Sequence, residues 1–243
     1  MIDAGLVPRI ALDSLNAVIP AAVYVAAVRR LRRTGGEWPA ARTVAFLAAV
    51  VLLALATSSI ADGAARRSLA WHMTEQMTLL LVVAPGVIAG HPIQLIRRAG
   101  GPALAHPPGP ALAWVVFVGV QWLVHVPALL AFALRHSAAY ALIHWLLVIA
   151  GVMFFAQTGS TRLHPLALAL YVVSAMPTTD AIALWLLLDP HVVYPHYALA
   201  DQQVAGAIMF GAGNILLIAA AWIAGRYLWT GRPNNPGPVS ATQ

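Results

Sequence analysis

WHMTEQMTLLLVVAPGVIAG, residues 71–90, carries one formally charged side chain, Glu75, in 20 positions. A helix needs roughly 20 predominantly apolar residues to cross the hydrocarbon core of a bilayer, and this stretch supplies them with His72, Glu75 and Gln76 gathered at its start. Six further apolar segments surround it, over approximately 12–30, 42–61, 111–134, 138–157, 163–188 and 204–228. All are continuously apolar and none alternates apolar with polar residues, which excludes a transmembrane β-barrel. Turn formers separate them: Thr34-Gly35-Gly36, Asp62-Gly63, Gly100-Gly101-Pro102, Pro107-Pro108-Gly109-Pro110 and Asp189-Pro190. The expected fold class is all-α, a polytopic transmembrane bundle of seven helices forming one membrane domain over residues 1–230. The proline-bearing stretch 231–243 reads as a disordered tail. No internal repeat divides the chain.

Composition agrees. The chain is 60% hydrophobic and 9% charged, with a mean hydropathy of +0.78, against about 25% charged residues in a soluble domain. The net charge of +6 comes from arginine alone, since the sequence has no lysine. These arginines sit in short loops, where they set membrane topology, and no basic stripe interleaved with aromatics suits a nucleic acid. The absence of cysteine excludes disulfides, a thiolate copper site and the C-x-x-C-H attachment of c-type haem. Any metal site must use histidine, methionine and carboxylate.

Orientation follows from the arginines. Asp3 and Asp13 precede or open the first apolar run and Arg29, Arg30, Arg32 and Arg33 follow it, the reverse of a secretory signal. The first segment is expected to be a retained helix with its N-terminus extracytoplasmic. The cytoplasmic side then holds those four with Arg42, Arg97, Arg98, Arg162, Arg226 and Arg232, and the outer side holds Arg9, Arg66, Arg67 and Arg135. This imbalance fits the positive-inside rule and leaves the C-terminus cytoplasmic. Six of the nine histidines (His72, His125, His136, His144, His191 and His196) then fall in the outer half, while His91, His106 and His164 fall inside.

Ionisable groups are costly within a bilayer, so their gathering at one face marks a candidate functional site. His72 and Gln76 are one turn apart beside Glu75, and Met73 and Met77 repeat the same spacing on the adjacent face. Imidazole with thioether is a donor set that suits a soft or borderline ion such as copper, although Met73 and Met77 also suit plain packing. Gln121 and His125 share a face ahead of Pro127, which is expected to kink the helix. Tyr140 and His144 are one turn apart, and a buried His144 needs a partner that Glu75 or Asp180 could supply. Asp180 follows Pro177, Thr178 and Thr179, which ease local unwinding, and lies roughly 13 Å below the outer end of its helix at 1.5 Å per residue. Asp201 reads as the N-cap of the last helix. Gln202, Gly206, Met209 and Gly213 share one face of that helix, whose small residues allow close helix packing.

These residues also resemble a known family. Trp71-His72-Met73-Thr74-Glu75-Gln76-Met77, running to Ala84-Pro85, resembles the His- and Met-rich helix of the CtaG-like cytochrome c oxidase assembly factors. His125-Val126-Pro127-Ala128-Leu129 and Leu134-Arg135-His136 through His144 resemble its next segments. Asp201-Gln202-Gln203-Val204-Ala205-Gly206 with Met209 resembles its Asp-Gln-Gln-x-Ala-Gly signature, the most specific of the four. The likeness spans about residues 70–225. Two positions depart from it: Gln76 or Met77 stands where a second histidine is frequent, and Ile143 where a glutamate often precedes the histidine of the fifth segment.

The resemblance implies a multi-pass protein of a bacterial inner membrane, a client among cytochrome c oxidase subunits, and a link to copper. On this reading His72, His125 and His144 are expected to bind copper, with Met73 or Met77 as soft supplements. Glu75, Gln76 and Asp180 support them, and Asp201 with Gln202 shapes the mouth. The residues leave other classes open. His125 and His144 could act as axial ligands of a non-covalent haem, Asp180 could serve an ion pathway, or the chain could scaffold an oxidase subunit without metal. No constellation that points to an enzyme stands out.

Overall fold

The computed structural model describes residues 6–102, 108–159 and 163–230, and every regular element among them is helical. A long helix α1 (Leu6–Arg33) is followed by α2 (Ala40–Ala56), a short α3 (Ser59–Ala65) and α4 (Leu69–Thr78). α4 runs through a π-helical turn at Leu79–Val83 into α5 (Ala84–Ala89), and α6 (Pro92–Arg98) follows. Then come α7 (Pro110–Val124), α8 (Pro127–Arg135), α9 (Ser137–Phe155), α10 (Pro165–Val173), α11 (Met176–Leu188) and α12 (Leu199–Thr230).

Four of these stretches are long and apolar enough to cross a membrane: Leu69–Arg98, Ser137–Thr158, Pro165–Leu188 and Leu199–Trp229. Two more qualify only as bent pairs, α2 with α3 at 55° and α7 with α8 at 72°. The described residues thus give four to six candidate spans. The side chains of the early part of the 12–30 segment lie outside the described residues, as does the 231–243 tail. The 42–61 segment, expected to be one unbroken helix, is sharply bent, and the kink expected at Pro127 in the 111–134 segment is a full break between two helices.

Each bend has a local cause. Pro127 cannot donate to residue 123, and the extended Val126 before it (φ −66°, ψ 119°) obeys the restriction proline places on its predecessor. α7 therefore stops at Val124 and a new helix starts at Pro127. At the other bend Ser58 is extended and accepts a hydrogen bond from Ala61 N at 3.2 Å, which caps α3. Pro85 has the same difficulty with Leu81, but there the helix widens by one residue into the π-turn and continues, with Ala84 N bonded to Leu79 O.

Packing among the described residues forms three clusters, the smallest of them Leu53, Leu79, Val83 and Val148 where α2 and α9 meet the π-turn. The main core unites buried side chains of α4, α7, α9, α11 and α12, among them Met73, Phe117, Tyr140, Phe154, Ile182 and Met209. A second cluster, built on Tyr24, Trp38, Phe46 and Leu95, joins α1, α2 and α6. It is fixed by Tyr24 Oη donating to Gly90 O at 2.8 Å and Trp38 Nε1 donating to Tyr24 Oη at 3.0 Å. α12 lies against α11, α10 and α4, and α9 against α7, α5 and the π-turn.

The α11–α12 contact depends on Gly206. A Cβ there would lie 2.6 Å from Leu187 N and 2.7 Å from Ala183 O, both backbone atoms that cannot rotate away. Gly206→Ala is accordingly expected to destabilise the purified protein by about 1–3 kcal/mol, the usual cost of overpacking. Gly211→Ala, where nothing lies within 4 Å, is the control and should melt at or slightly above the parent, because alanine is the better helix former. Equal melting temperatures for the two variants would refute this account of the helix pair.

Candidate functional site

The polar residues of α4 and α9 meet in one buried network. His72 and Gln76 are fully buried, as is Tyr140, and Glu75 and His144 are nearly so. Tyr140 Oη donates to Glu75 Oε2 at 2.7 Å and stands 2.7 Å from His72 Nδ1. Because the hydroxyl proton is committed to Glu75, its oxygen accepts from His72, and the hydrogen-bond pattern assigns the proton to Nδ1. His72 Nε2 is then the acceptor for Gln76 Nε2 at 2.8 Å. Both ring nitrogens of His72 are thereby engaged, and a metal would reach Nε2 only after the Gln76 amide swung away.

His144 approaches the same carboxylate, with Nε2 3.4 Å from Glu75 Oε2. The partner of His144 is thus Glu75, and Asp180 lies elsewhere: its Oδ1 fills the space beside Gly213 that a Cβ there would need, 2.6 Å from where that Cβ would sit. That oxygen is buried without a hydrogen-bond partner, at the α11–α12 contact. Asp62 of α3 joins the group, so that ligand-capable atoms of Asp62, Glu75 and His144 all lie within 4.8 Å of one another.

His125 is placed by the α7–α8 break. It is buried, its Nδ1 lies 2.6 Å from Gln121 O, and its backbone carbonyl accepts from Tyr194 Oη at 2.8 Å. A carbonyl can only accept, so Nδ1 carries the proton and the lone pair is on Nε2, which is buried with no hydrogen-bond partner. That is the tautomer a metal-binding imidazole presents. Among the described residues no hydrogen bond or ion pair joins His125 to His72 or His144. Met73 and Met77 are buried in the main apolar core, where they pack.

The loop between α11 and α12 closes this end of the bundle. Gln202, fully buried, accepts from Val193 N at 2.7 Å and donates to His191 O at 3.2 Å. Tyr197 Oη donates to Ala65 O at 2.9 Å and His196 Nε2 lies 2.9 Å from Arg66 O. Burial pushes the phenols of Tyr194 and Tyr197 up, so both remain donors at any physiological pH. Arg66 in turn donates to Leu134 O and lies over the Tyr140 ring at 5.1 Å.

Asp201 needs a correction. It was expected to cap its own helix, but α12 already begins at Leu199, and the carboxylate reaches across to α4. There it accepts from Ser68 Oγ at 2.8 Å, Leu69 N at 2.5 Å and Ala70 N at 3.3 Å. It neutralises the positive end of the helix that carries His72 and Glu75. Asp62, Arg66, Tyr194 and Tyr197 were not singled out from the sequence as site residues. Asp62 is one of only 8 acids in the chain, which is a usable signal, whereas the loop tyrosines offer none.

A family model described as cytochrome c oxidase caa3 assembly factor (Caa3_CtaG) matches residues 22–230. The chain belongs to this family. An uncharacterized protein of Mycobacterium leprae (strain TN) is 28% identical to it over 85% of this chain. The chain spans 37% of the length of that relative. No solved structure matches. Membership accords with the resemblance carried by Trp71–Met77, His125–Leu129 and Asp201–Met209, and the apolar spans accord with a multi-pass membrane protein.

Proposed function

We propose that this protein is a seven-span factor of a bacterial inner membrane that helps mature a haem-copper cytochrome c oxidase by handling copper at the closed end of the bundle. That end is extracytoplasmic, with the N-terminus outside and the C-terminus inside, a reading the arginine imbalance across the loops supports. Copper is cargo here. His125 and His144 are its principal ligands, His72 joins when Gln76 releases it, and Met73 or Met77 supplements the set.

The observation that carries this reading is the bare, buried Nε2 of His125 on a ring already oriented by Gln121 O. An unpartnered imidazole nitrogen in an apolar interior is costly unless something fills the gap. Copper accepts imidazole readily, and the absence of cysteine leaves histidine, methionine and carboxylate as the available donors. The oxidase subunits are the client, and the loop held by Gln202, Tyr194 and Tyr197 is the surface nearest the site.

The purified protein is expected to retain or bind about one equivalent of copper, and His125→Ala combined with His144→Ala to abolish that binding; the donor chemistry of imidazole is the basis. Unchanged copper content in the double variant removes the ligand assignment. In cells, deletion of the gene is expected to lower the oxidase spectrum, with partial recovery on added copper.

A further inference from the structure

Asp62, Glu75 and His144 come from three different helices, α3, α4 and α9, and converge on one point. Glu75 and His144 are 5% and 3% exposed. Glu75 keeps Oε1 buried with no hydrogen-bond partner, and His144 Nε2 makes no hydrogen bond although it stops 3.4 Å from Glu75 Oε2. That separation is long for a charge-assisted hydrogen bond, which is about 2.7–2.9 Å. It matches two donors on one tetrahedral ion: bonds of about 2.1 Å at the tetrahedral angle hold donor atoms about 3.4 Å apart.

Access is also built. A cavity of about 630 Å³ opens between α3 and the start of α9, lined by Asp62 and His144 together with Thr57, Ser59, Ser137 and Trp145. Asp62 and His144 reach it directly and Glu75 stands behind them. Arg66 and Arg135 line the same cavity.

We propose that Asp62, Glu75 and His144 form a carboxylate–imidazole site for a divalent transition-metal cation, entered from this cavity. The site shares His144 with the copper set proposed above, but holds a divalent ion through Asp62 and Glu75 without the thioethers or His125. Two carboxylates and one imidazole suit Zn(II) or Cu(II), whereas Cu(I) prefers soft sulfur donors. Calcium wants six to eight oxygens and magnesium a near-octahedral shell, more than this group offers. Where the cargo is copper, a point that rests on the function proposed above, this site takes the oxidised ion.

The test uses the full chain, purified in detergent and stripped of metal, titrated separately with Zn(II), Cu(II) and Cu(I). One tight equivalent of Zn(II) or Cu(II) is expected, with the Cu(II) spectrum carrying nitrogen hyperfine from a single imidazole. Glu75→Gln and His144→Ala should each weaken it by about a hundredfold or more, beyond the 10- to 100-fold range of a merely supporting residue. His191→Ala, which removes an exposed imidazole of the α11–α12 loop, should bind the divalent ions as the parent does. Melting curves identify variants that fail to fold, and for those the hyperfine pattern of the unaltered protein decides. Divalent binding that survives Asp62→Asn with Glu75→Gln, or a spectrum with two or more nitrogens, overturns the site. Tight Cu(I) binding lost with Met73 and Met77, in a protein that ignores divalent ions, also overturns it and leaves the copper reading intact.

Discussion

Asp201→Ala is expected to destabilise the purified protein by about 2–4 kcal/mol, lowering its melting temperature by several degrees, and Asp201→Asn to restore part of the loss. The reason lies in α4. The first turn of any helix leaves backbone N–H groups without partners. Here Ser68 Oγ serves one of them, Trp71 N at 3.3 Å, while the Asp201 carboxylate takes Leu69 N, Ala70 N and the Ser68 hydroxyl itself. Alanine strands the two amides at a partly buried helix start and removes negative charge from the positive end of the helix dipole. Asparagine keeps one acceptor oxygen but turns an NH₂ toward donors, so it can satisfy only part of the set. Ser68→Ala, which deletes one cap and leaves the carboxylate on the amides, should cost less than Asp201→Ala. A melting temperature for Asp201→Ala equal to that of the parent would mean that α4 is not anchored from α12. Functional loss should accompany the instability, because His72 and Glu75 sit within two turns of the anchored end.

This interaction also marks a boundary of what the sequence discloses. The apolar run lengths are enough to show an all-helical chain with several spans, since hydrocarbon thickness dictates their length, but not to fix the count, which is four to six candidate spans among the described residues. Pro127 was enough to place the break beside His125, since the missing donor acts locally. The bend at Thr57-Ser58 was not legible, because no proline marks it and the turn signal Asp62-Gly63 lies inside α3. Asp201 was assigned to its own helix because capping rules are local, whereas its partners are 131–133 positions away. The gathering of His72 and His144 was foreseen from their positions near one end of their helices. That Glu75 rather than Asp180 meets His144 depends on how α9 and α11 are rotated about their axes, which neither spacing nor composition records. Asp62 is obscured for a related reason: an acid beside glycine reads as a turn until α3 is folded against the mouth of the bundle.

Tyr140→Phe is expected to cost about 2–4 kcal/mol although it removes a single oxygen atom, because two buried groups lose their partner at once. The hydroxyl accepts from His72 Nδ1 and donates to Glu75 Oε2, each at 2.7 Å. Phenylalanine keeps the ring volume, so no cavity opens, and it keeps a π-face for the Arg66 guanidinium that lies 5.1 Å from the ring centroid. What remains is a protonated imidazole nitrogen and a carboxylate facing each other at 3.8 Å, too far apart for a hydrogen bond. The His72 ring is then free to turn and the Gln76 amide loses its fixed acceptor. Metal affinity should fall about 10- to 100-fold, the usual effect of losing a group that orients a ligand. The coupling is measurable in a cycle of Tyr140→Phe, Glu75→Gln and the pair together, read by thermal unfolding. An interaction energy of about 0.6 kcal/mol, and at most about 1.7, is expected for hydrogen-bonded partners between membrane helices. Strict additivity in that cycle would show that Tyr140 and Glu75 act independently, and the buried network joining α4 to α9 would not then be a single unit.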